Sequence, residues 1–426
     1  MEKNRLSDGD PSIKLHRYAS ARGKGAETSR RSLHVCIVTE TYPPEVNGVA
    51  LTLGHLIGGM LARGHAVSIV RPRQHASDRT GAGVTLVGGL PLPGYKGLQF
   101  GLPSGGLLQQ LWMRQRPDVV YVATEGPLGW SAVRIARRLA IPAFSGFHTN
   151  FHSYSRHYGV GWLCRFVFWY LRRFHNQSTG TIVPGLELRD RLQALGFKNV
   201  NYLGRGVDSR LFDPGKRSAE IRRNWGVGER EIALLYVGRV AREKNLPLAI
   251  DAYHRVKQFA GSAKFIIVGD GPLYAELHAR HRDVIFCGMI TGEPLAAHYA
   301  SADVFLFPSE TETFGNVTLE AMASGLAVVA FDYAAARWHI VGGETGILVP
   351  YADSDAFVNA AAGLISDPEQ VREIGRRARE YAASIGWERV VERFEMLLTG
   401  RARDLPSAFN AAAAARPIPA AARGRT

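Results

Sequence analysis

Twice along this 426-residue chain, short apolar runs return at intervals filled by helical patterns, and this repetition limits the fold severely. The first series begins at residues 33–39 and continues at 66–70, 119–122, 143–146 and 180–183. The second begins at 232–238 and continues at 264–269, 284–287, 304–307, 327–330 and 346–349. Unbroken apolar runs of strand length, alternating with helices, mark parallel strands covered on both faces. A turn-rich segment, residues 206–214, separates the two series, and the chain is too long for one ordinary core. The expected fold class is therefore α/β, with two doubly wound parallel-sheet domains, 32–209 and 210–385, facing a deep cleft. Residues 386–400 carry one apolar helical face. Residues 1–31 and the Ala/Pro/Arg-rich stretch 401–426 have no apolar periodicity and are expected to be disordered.

The chemistry concentrates in Pro308-Ser309-Glu310-Thr311-Glu312-Thr313-Phe314-Gly315-Asn316, where a polar loop runs into a helical pattern ending near Gly325. Gly315 lets the backbone approach a ligand, and the helix start directs unpaired N–H groups and a positive dipole end at one point. Such a point suits a diphosphate. Glu312 and Glu320, with seven residues between them, flank it; carboxylates only accept hydrogen bonds, so they suit hydroxyl groups on either side of the phosphates. A molecule with a central diphosphate and hydroxyls at both ends is a nucleotide-sugar. Arg239 and Lys244 follow the first strand of the second series, at the strand end where open α/β sheets bind ligands. They suit phosphate oxygens, the arginine by a two-pronged grip and the lysine as a point charge.

These residues resemble the glutamate-seven-glutamate signature of retaining glycosyltransferases of family 4, which have the GT-B fold of two Rossmann-like domains. The resemblance covers residues 33–400. It implies that Glu312 meets the donor sugar, Glu320 the ribose, and Arg239 and Lys244 the diphosphate, with Phe314, Gly315 and Asn316 contributing the N–H groups. His148, in Gly146-Phe147-His148-Thr149-Asn150-Phe151, matches the family's histidine beside the sugar, and Gly48 its glycine loop after the first strand. His148, Glu312, Arg239 and Lys244 are thus the expected catalytic set. The Gly269-Asp270-Gly271-Pro272 loop matches the family's loop near the base, and equally suits a plain turn. Residues 386–400 match a helix that crosses back to the first domain. Among the family's members the likeness is greatest to lipid-acting α-mannosyltransferases and glucosyl- or sulfoquinovosyl-diacylglycerol synthases. One departure is Trp338-His339, where many members have a glycine/proline turn and then a glutamate.

The implied reaction moves a hexose, from GDP-mannose in the first place and UDP-glucose in the second, to a lipid or glycolipid acceptor with retained configuration. A soluble sugar or polysaccharide acceptor is the alternative. No cofactor and no metal are expected, because cationic and backbone groups can stabilise the departing diphosphate. Two Asp-x-Asp strings, Asp8-Gly9-Asp10 and Asp353-Ser354-Asp355, read as a stretch of the basic arm and a helix N-cap. A dinucleotide-dependent dehydrogenase would need Gly-x-Gly-x-x-Gly after the first strand, which is absent.

The net charge of +14 includes +4 in each terminal stretch. No zinc-finger, RNA-recognition or basic-zipper pattern accompanies it, so nucleic acid is not an expected partner. An anionic membrane surface is a candidate, because residues 161–174 form an aromatic helix with Arg165, Arg172 and Arg173 on one stripe. The same helix equally suits burial against the first domain with its arginines in water. No apolar run reaches the ~18 residues of a membrane span, no leader pattern opens the chain, and Cys36, Cys164 and Cys287 fit reduced thiols. The expected location is cytoplasmic, with peripheral attachment to the inner face of the plasma membrane as an extension.

Overall fold

The computed structural model describes residues 31–400 except 44, 46, 75–77, 79–80, 82, 92–98, 149–160 and 313, and it describes the side chains of 161–164 in no detail. Residues 1–30 and 401–426, the string Asp8-Gly9-Asp10 and the motif residues Thr149, Asn150 and Phe151 lie outside the described residues. In chain order the first domain holds β1 (His34–Val38), β2 (Ala66–Pro72), β3 (Val84–Val87), β4 (Gly89–Pro91), β5 (Gln99–Gly101), β6 (Val119–Val122), β7 (Ala143–Gly146), β8 (Gly180–Val183) and β9 (Val200–Tyr202). Seven of these form one sheet in the order β3-β2-β1-β6-β7-β8-β9, while β4 and β5 form an antiparallel pair.

The second domain holds β10 (Ala233–Val237), β11 (Lys264–Val268), β12 (Ile285–Gly288), β13 (Val304–Phe307), β14 (Ala327–Phe331) and β15 (Ile347–Val349), ordered β12-β11-β10-β13-β14-β15. Every ladder in the two large sheets is parallel; β1 sets Val35 beside Val119 of β6, and β10 sets Leu234 beside Val304 of β13. Parallel ladders bury both faces, which is why β6, β8, β10, β13 and β14 are buried from end to end and carry few polar residues.

In both sheets the winding direction reverses beside the first strand, between β1 and β6 and between β10 and β13. Helices leave opposite faces there, and a crevice opens at the carboxyl ends of the strands. The expected residues all follow such ends: His148 after β7, Arg239 after β10 and Glu312 after β13.

The C-terminal helix Trp387–Leu398 ties the halves together. Its Val390, Val391, Phe394, Leu397 and Leu398 join Ile37, Leu53, Leu56 and Tyr121 in the first domain's core. It lies against the helix Gly48–Ala62, where Gly59 permits contact: a Cβ there would stand 2.3 Å from Val391 Cγ2. His55 stacks on Trp387 with ring centroids 4.4 Å apart, and Arg63 Nε donates to Glu395 Oε2 at 2.6 Å.

Candidate functional site

The loop after β13 reaches Gly315 in left-handed backbone (φ 93°), and the helix Asn316–Ala323 starts there without a side-chain cap. In the first turn the Thr318 N–H is taken by the Gly315 carbonyl at 3.1 Å, while those of Asn316 and Val317 have no backbone acceptor among the described residues and remain available to an anion. Gly325, at φ 80°, follows the helix end. The loop is held from below by the segment after β14: Tyr333 Oη donates to the Glu312 carbonyl at 3.1 Å and the Ala335 N–H to the Phe314 carbonyl at 2.8 Å.

Glu312 is engaged before any ligand arrives. Its Oε1 accepts from Ser309 Oγ at 2.9 Å and pairs with Lys244 Nζ, which also reaches the Thr311 carbonyl at 3.4 Å. The pair is largely shielded, with 17% of the lysine and 13% of the glutamate side chain exposed. The sequence assigns these groups to the phosphate and the sugar; here each neutralises the other.

Glu320 lies further along the same helix, where its Oε2 accepts from Tyr299 Oη at 3.0 Å. Burial pushes its carboxyl up to about 7, so near neutral pH it changes charge easily. Arg239 is 52% exposed, 3.5 Å from Glu243, and its carbonyl is held by Tyr236 Oη at 3.1 Å. The adjoining turn needs glycine: a Cβ on Gly269 would stand 1.9 Å from the Gly238 carbonyl oxygen, and both residues have positive φ. Asp270 of the same loop accepts from the Val240 N–H at 2.9 Å, joining the loop to the Arg239 segment.

The departure at Trp338-His339 falls in a short helix, Ala334–His339, behind the glutamate loop. His339 is buried, with Nδ1 3.0 Å from Tyr381 Oη and its ring edge-on to Phe314, and burial pulls it down to about 4. The residue near the family's glutamate is thus a neutral buttress for Phe314.

Across the cleft, His148 is held at both ring nitrogens. Arg205 Nη2 lies 3.1 Å from Nδ1, and Tyr121 Oη lies 3.2 Å from Nε2. Burial, then Arg205, then His175 hold the imidazole well below its usual range. Gly48 begins a helix whose Val49 and Ala50 N–H groups already bond to the Asn47 carboxamide, at 3.1 and 2.9 Å. A Cβ on Gly48 would meet nothing within 4 Å, so this glycine leaves room rather than N–H donors. Arg337 of the second domain lies 3.5 Å from Glu187 of the first.

Sequence reasoning did not find Arg205, Tyr121 or Glu40. Glu40 is buried beneath the start of the helix Pro127–Arg138, and burial, helped by Glu125, lifts it to about 7. A Cβ on Gly126 would stand 2.0 Å from its carboxylate, which fits a carboxylate set against a helix start. A carboxylate ending an apolar strand is the one available signal for Glu40. Arg205 and Tyr121 gave none, standing 57 and 27 residues from His148.

Among the described residues no three His, Cys, Asp or Glu side chains gather in a way that could hold a metal ion. Asp353 accepts from the Ala356 N–H at 2.9 Å as a helix N-cap. No described helix is long and apolar enough to cross a membrane. The aromatic helix Gly161–His175 buries Leu171 and Phe174, yet Phe166 (56%) and Trp169 (50%) stack on one another in solvent beside exposed Arg165, Arg172 and Arg173.

Two family models match the chain: Glycosyltransferase Family 4 over residues 46–211 and Glycosyl transferases group 1 over residues 231–367. A GDP-mannose-dependent alpha-mannosyltransferase of Corynebacterium glutamicum is 30% identical over 363 residues, covering 84% of this chain and 86% of that protein. The sulfoquinovosyl transferase SQD2 of Arabidopsis thaliana is 32% identical, covering 70% of this chain and 59% of that one. The alpha-monoglucosyldiacylglycerol synthase of Streptococcus pneumoniae is 28% identical, covering 70% and 71%. Among solved structures, a sucrose-phosphate synthase from Thermosynechococcus elongatus superposes with a TM-score of 0.70 at 19% identity, covering 88% of this chain and all of that one. The fold is GT-B.

Proposed function

The chain belongs to glycosyltransferase family 4 and is a hexosyltransferase, and we propose that it transfers a hexose from GDP-mannose to a lipid or glycolipid acceptor with retained configuration. UDP-glucose is the second choice of donor. One arrangement carries the reading: Glu312 and Glu320 stand on either side of an uncapped helix start, and Lys244 reaches that loop. The carboxylates take the sugar and ribose hydroxyls, while the helix N–H groups, Lys244 and Arg239 take the diphosphate.

The step we propose is same-face substitution. The bond from the anomeric carbon to the phosphate oxygen breaks, the bond to the acceptor oxygen forms on the same face, and the acceptor's proton passes to the departing phosphate. Negative charge grows on the leaving group, where preorganised cations and N–H dipoles stabilise it most. With those groups in place the reaction is expected to proceed without a metal. Isolation of a glycosyl-enzyme on any carboxylate would remove this route.

A lipid acceptor is supported by the relatives, whose names include a diacylglycerol synthase, and by the exposed Phe166–Trp169 pair flanked by arginines. Such a surface suits a headgroup layer, with aromatic rings at the interface and arginines on phosphates. The test is hexose transfer from GDP-mannose, UDP-glucose, UDP-galactose and UDP-N-acetylglucosamine, with diacylglycerol-based lipid or soluble sugar as acceptor. Lipid product from GDP-mannose is expected; transfer to soluble sugar alone would overturn the acceptor assignment.

A further inference from the structure

Arginine has only donors to offer, so the Arg205–His148 contact has one possible polarity: Nη2–H donates and His148 Nδ1 accepts. Nδ1 therefore carries a lone pair, and a neutral ring must keep its proton on Nε2. That nitrogen faces Tyr121 Oη at 3.2 Å, so the phenol oxygen accepts and its own proton is directed elsewhere. A second ring proton would set N–H against N–H and cation beside cation. We infer that Arg205 is a positioning residue that locks His148 as a neutral Nε2–H imidazole, a fixed hydrogen-bond donor in the cleft rather than an acid or base. This rests on the glycosyltransferase reading above and on the placement of His148 beside the transferred sugar that the family resemblance implies.

Three further observations support the lock. Arg205 is buried and pairs with no carboxylate among the described residues, so its donors are not diverted from the histidine. Burial lowers its guanidinium only to about 10, which leaves it cationic at neutral pH. Among the described residues, the charged and titratable groups acting on His148 are Arg205 from the segment after β9, His175 from the end of the aromatic helix and Tyr121 from β6. None of these is a carboxylate; Glu125 sits 3.5 Å from Nε2 of His175, on the neighbouring ring. Packing fixes the ring as well, since a Cβ on Gly146 would stand 2.5 Å from His148 Nε2 and 2.4 Å from Tyr121 Oη. In a serine-protease triad a carboxylate at Nδ1 readies the ring to take a proton; a guanidinium there does the opposite.

The test is 15N NMR of the full chain labelled at its histidines, with His148 assigned by its loss in His148→Asn. In the wild type Nδ1 should read as an unprotonated acceptor, and the ring should not titrate between pH 8 and 5.5. In Arg205→Gln the ring should show both tautomers and titrate toward the ordinary value of about 6.5. Turnover of that variant should fall about tenfold or more, with an acid limb added to its pH profile and donor KM little changed, well short of the ~10⁴ seen for a mis-tautomerised triad histidine. Arg205→Lys, a donor-only replacement, should restore part of kcat and the single tautomer. A wild-type ring protonated on Nδ1, or one titrating near 6.5, overturns the inference whether or not the variants fold, and leaves the donor assignment untouched.

Discussion

Lys244 and Glu312 are partners in the free protein and are assigned to different parts of the donor, so each substitution should act twice. Lys244→Ala should lower kcat by about a hundredfold or more through lost charge stabilisation of the leaving diphosphate. It should also lower the melting temperature, because Glu312 becomes a shielded, poorly compensated carboxylate. Adding Glu312→Gln should recover melting temperature but not turnover; full additivity in calorimetry would deny the coupling. Glu320 gives a pH-dependent outcome. Its folded pKa of about 7 lies above the ordinary 4.5, so its stabilising contribution is complete below pH 4.5 and is lost as pH rises through 7. Glu320→Gln does not titrate, so its melting temperature should gain on the wild type between pH 5 and 8 while nucleotide affinity falls. A difference independent of pH would mean that the carboxyl is ionised throughout. The two glutamates were legible in the sequence because one loop-to-helix segment carries both. Arg205 was not, because its partner lies 57 residues away and only the fold brings them together.

Among the elements, the long apolar strands of both sheets could be read directly, since burial on both faces leaves an unmistakable run. β3, β9 and the β4–β5 pair could not: they are pieces of three or four residues whose apolar run is broken by a polar residue, glycine or proline, unlike the equally short Ile-Leu-Val of β15. The aromatic helix combined both sequence-level alternatives, one face buried and the other exposing rings among arginines. Phe166→Ser with Trp169→Ser should leave the melting temperature nearly unchanged and abolish flotation with anionic liposomes at low salt. Unchanged flotation would remove that face from the acceptor side. The helix pair Gly48–Ala62 and Trp387–Leu398 offers a separate test, because Gly59 has no room for even a methyl group against Val391. Gly59→Ala should lower stability by about 1–3 kcal/mol in denaturant melts.

For the whole molecule, two sheets reverse direction at matching places, and each opens a crevice at its own strand ends. The repeated apolar series carried that much in sequence, whereas the return of the C-terminal helix to the first domain's core depended on the family resemblance. One physical claim unites the site: the departing diphosphate is stabilised by side-chain cations and backbone N–H groups. Its most direct measurement is the rate of hexose transfer from GDP-mannose after exhaustive metal stripping with a chelator, for wild type and Lys244→Ala together. The wild type should keep its rate while Lys244→Ala loses about a hundredfold. A wild-type rate that collapses on stripping and returns with added divalent cation would contradict the account.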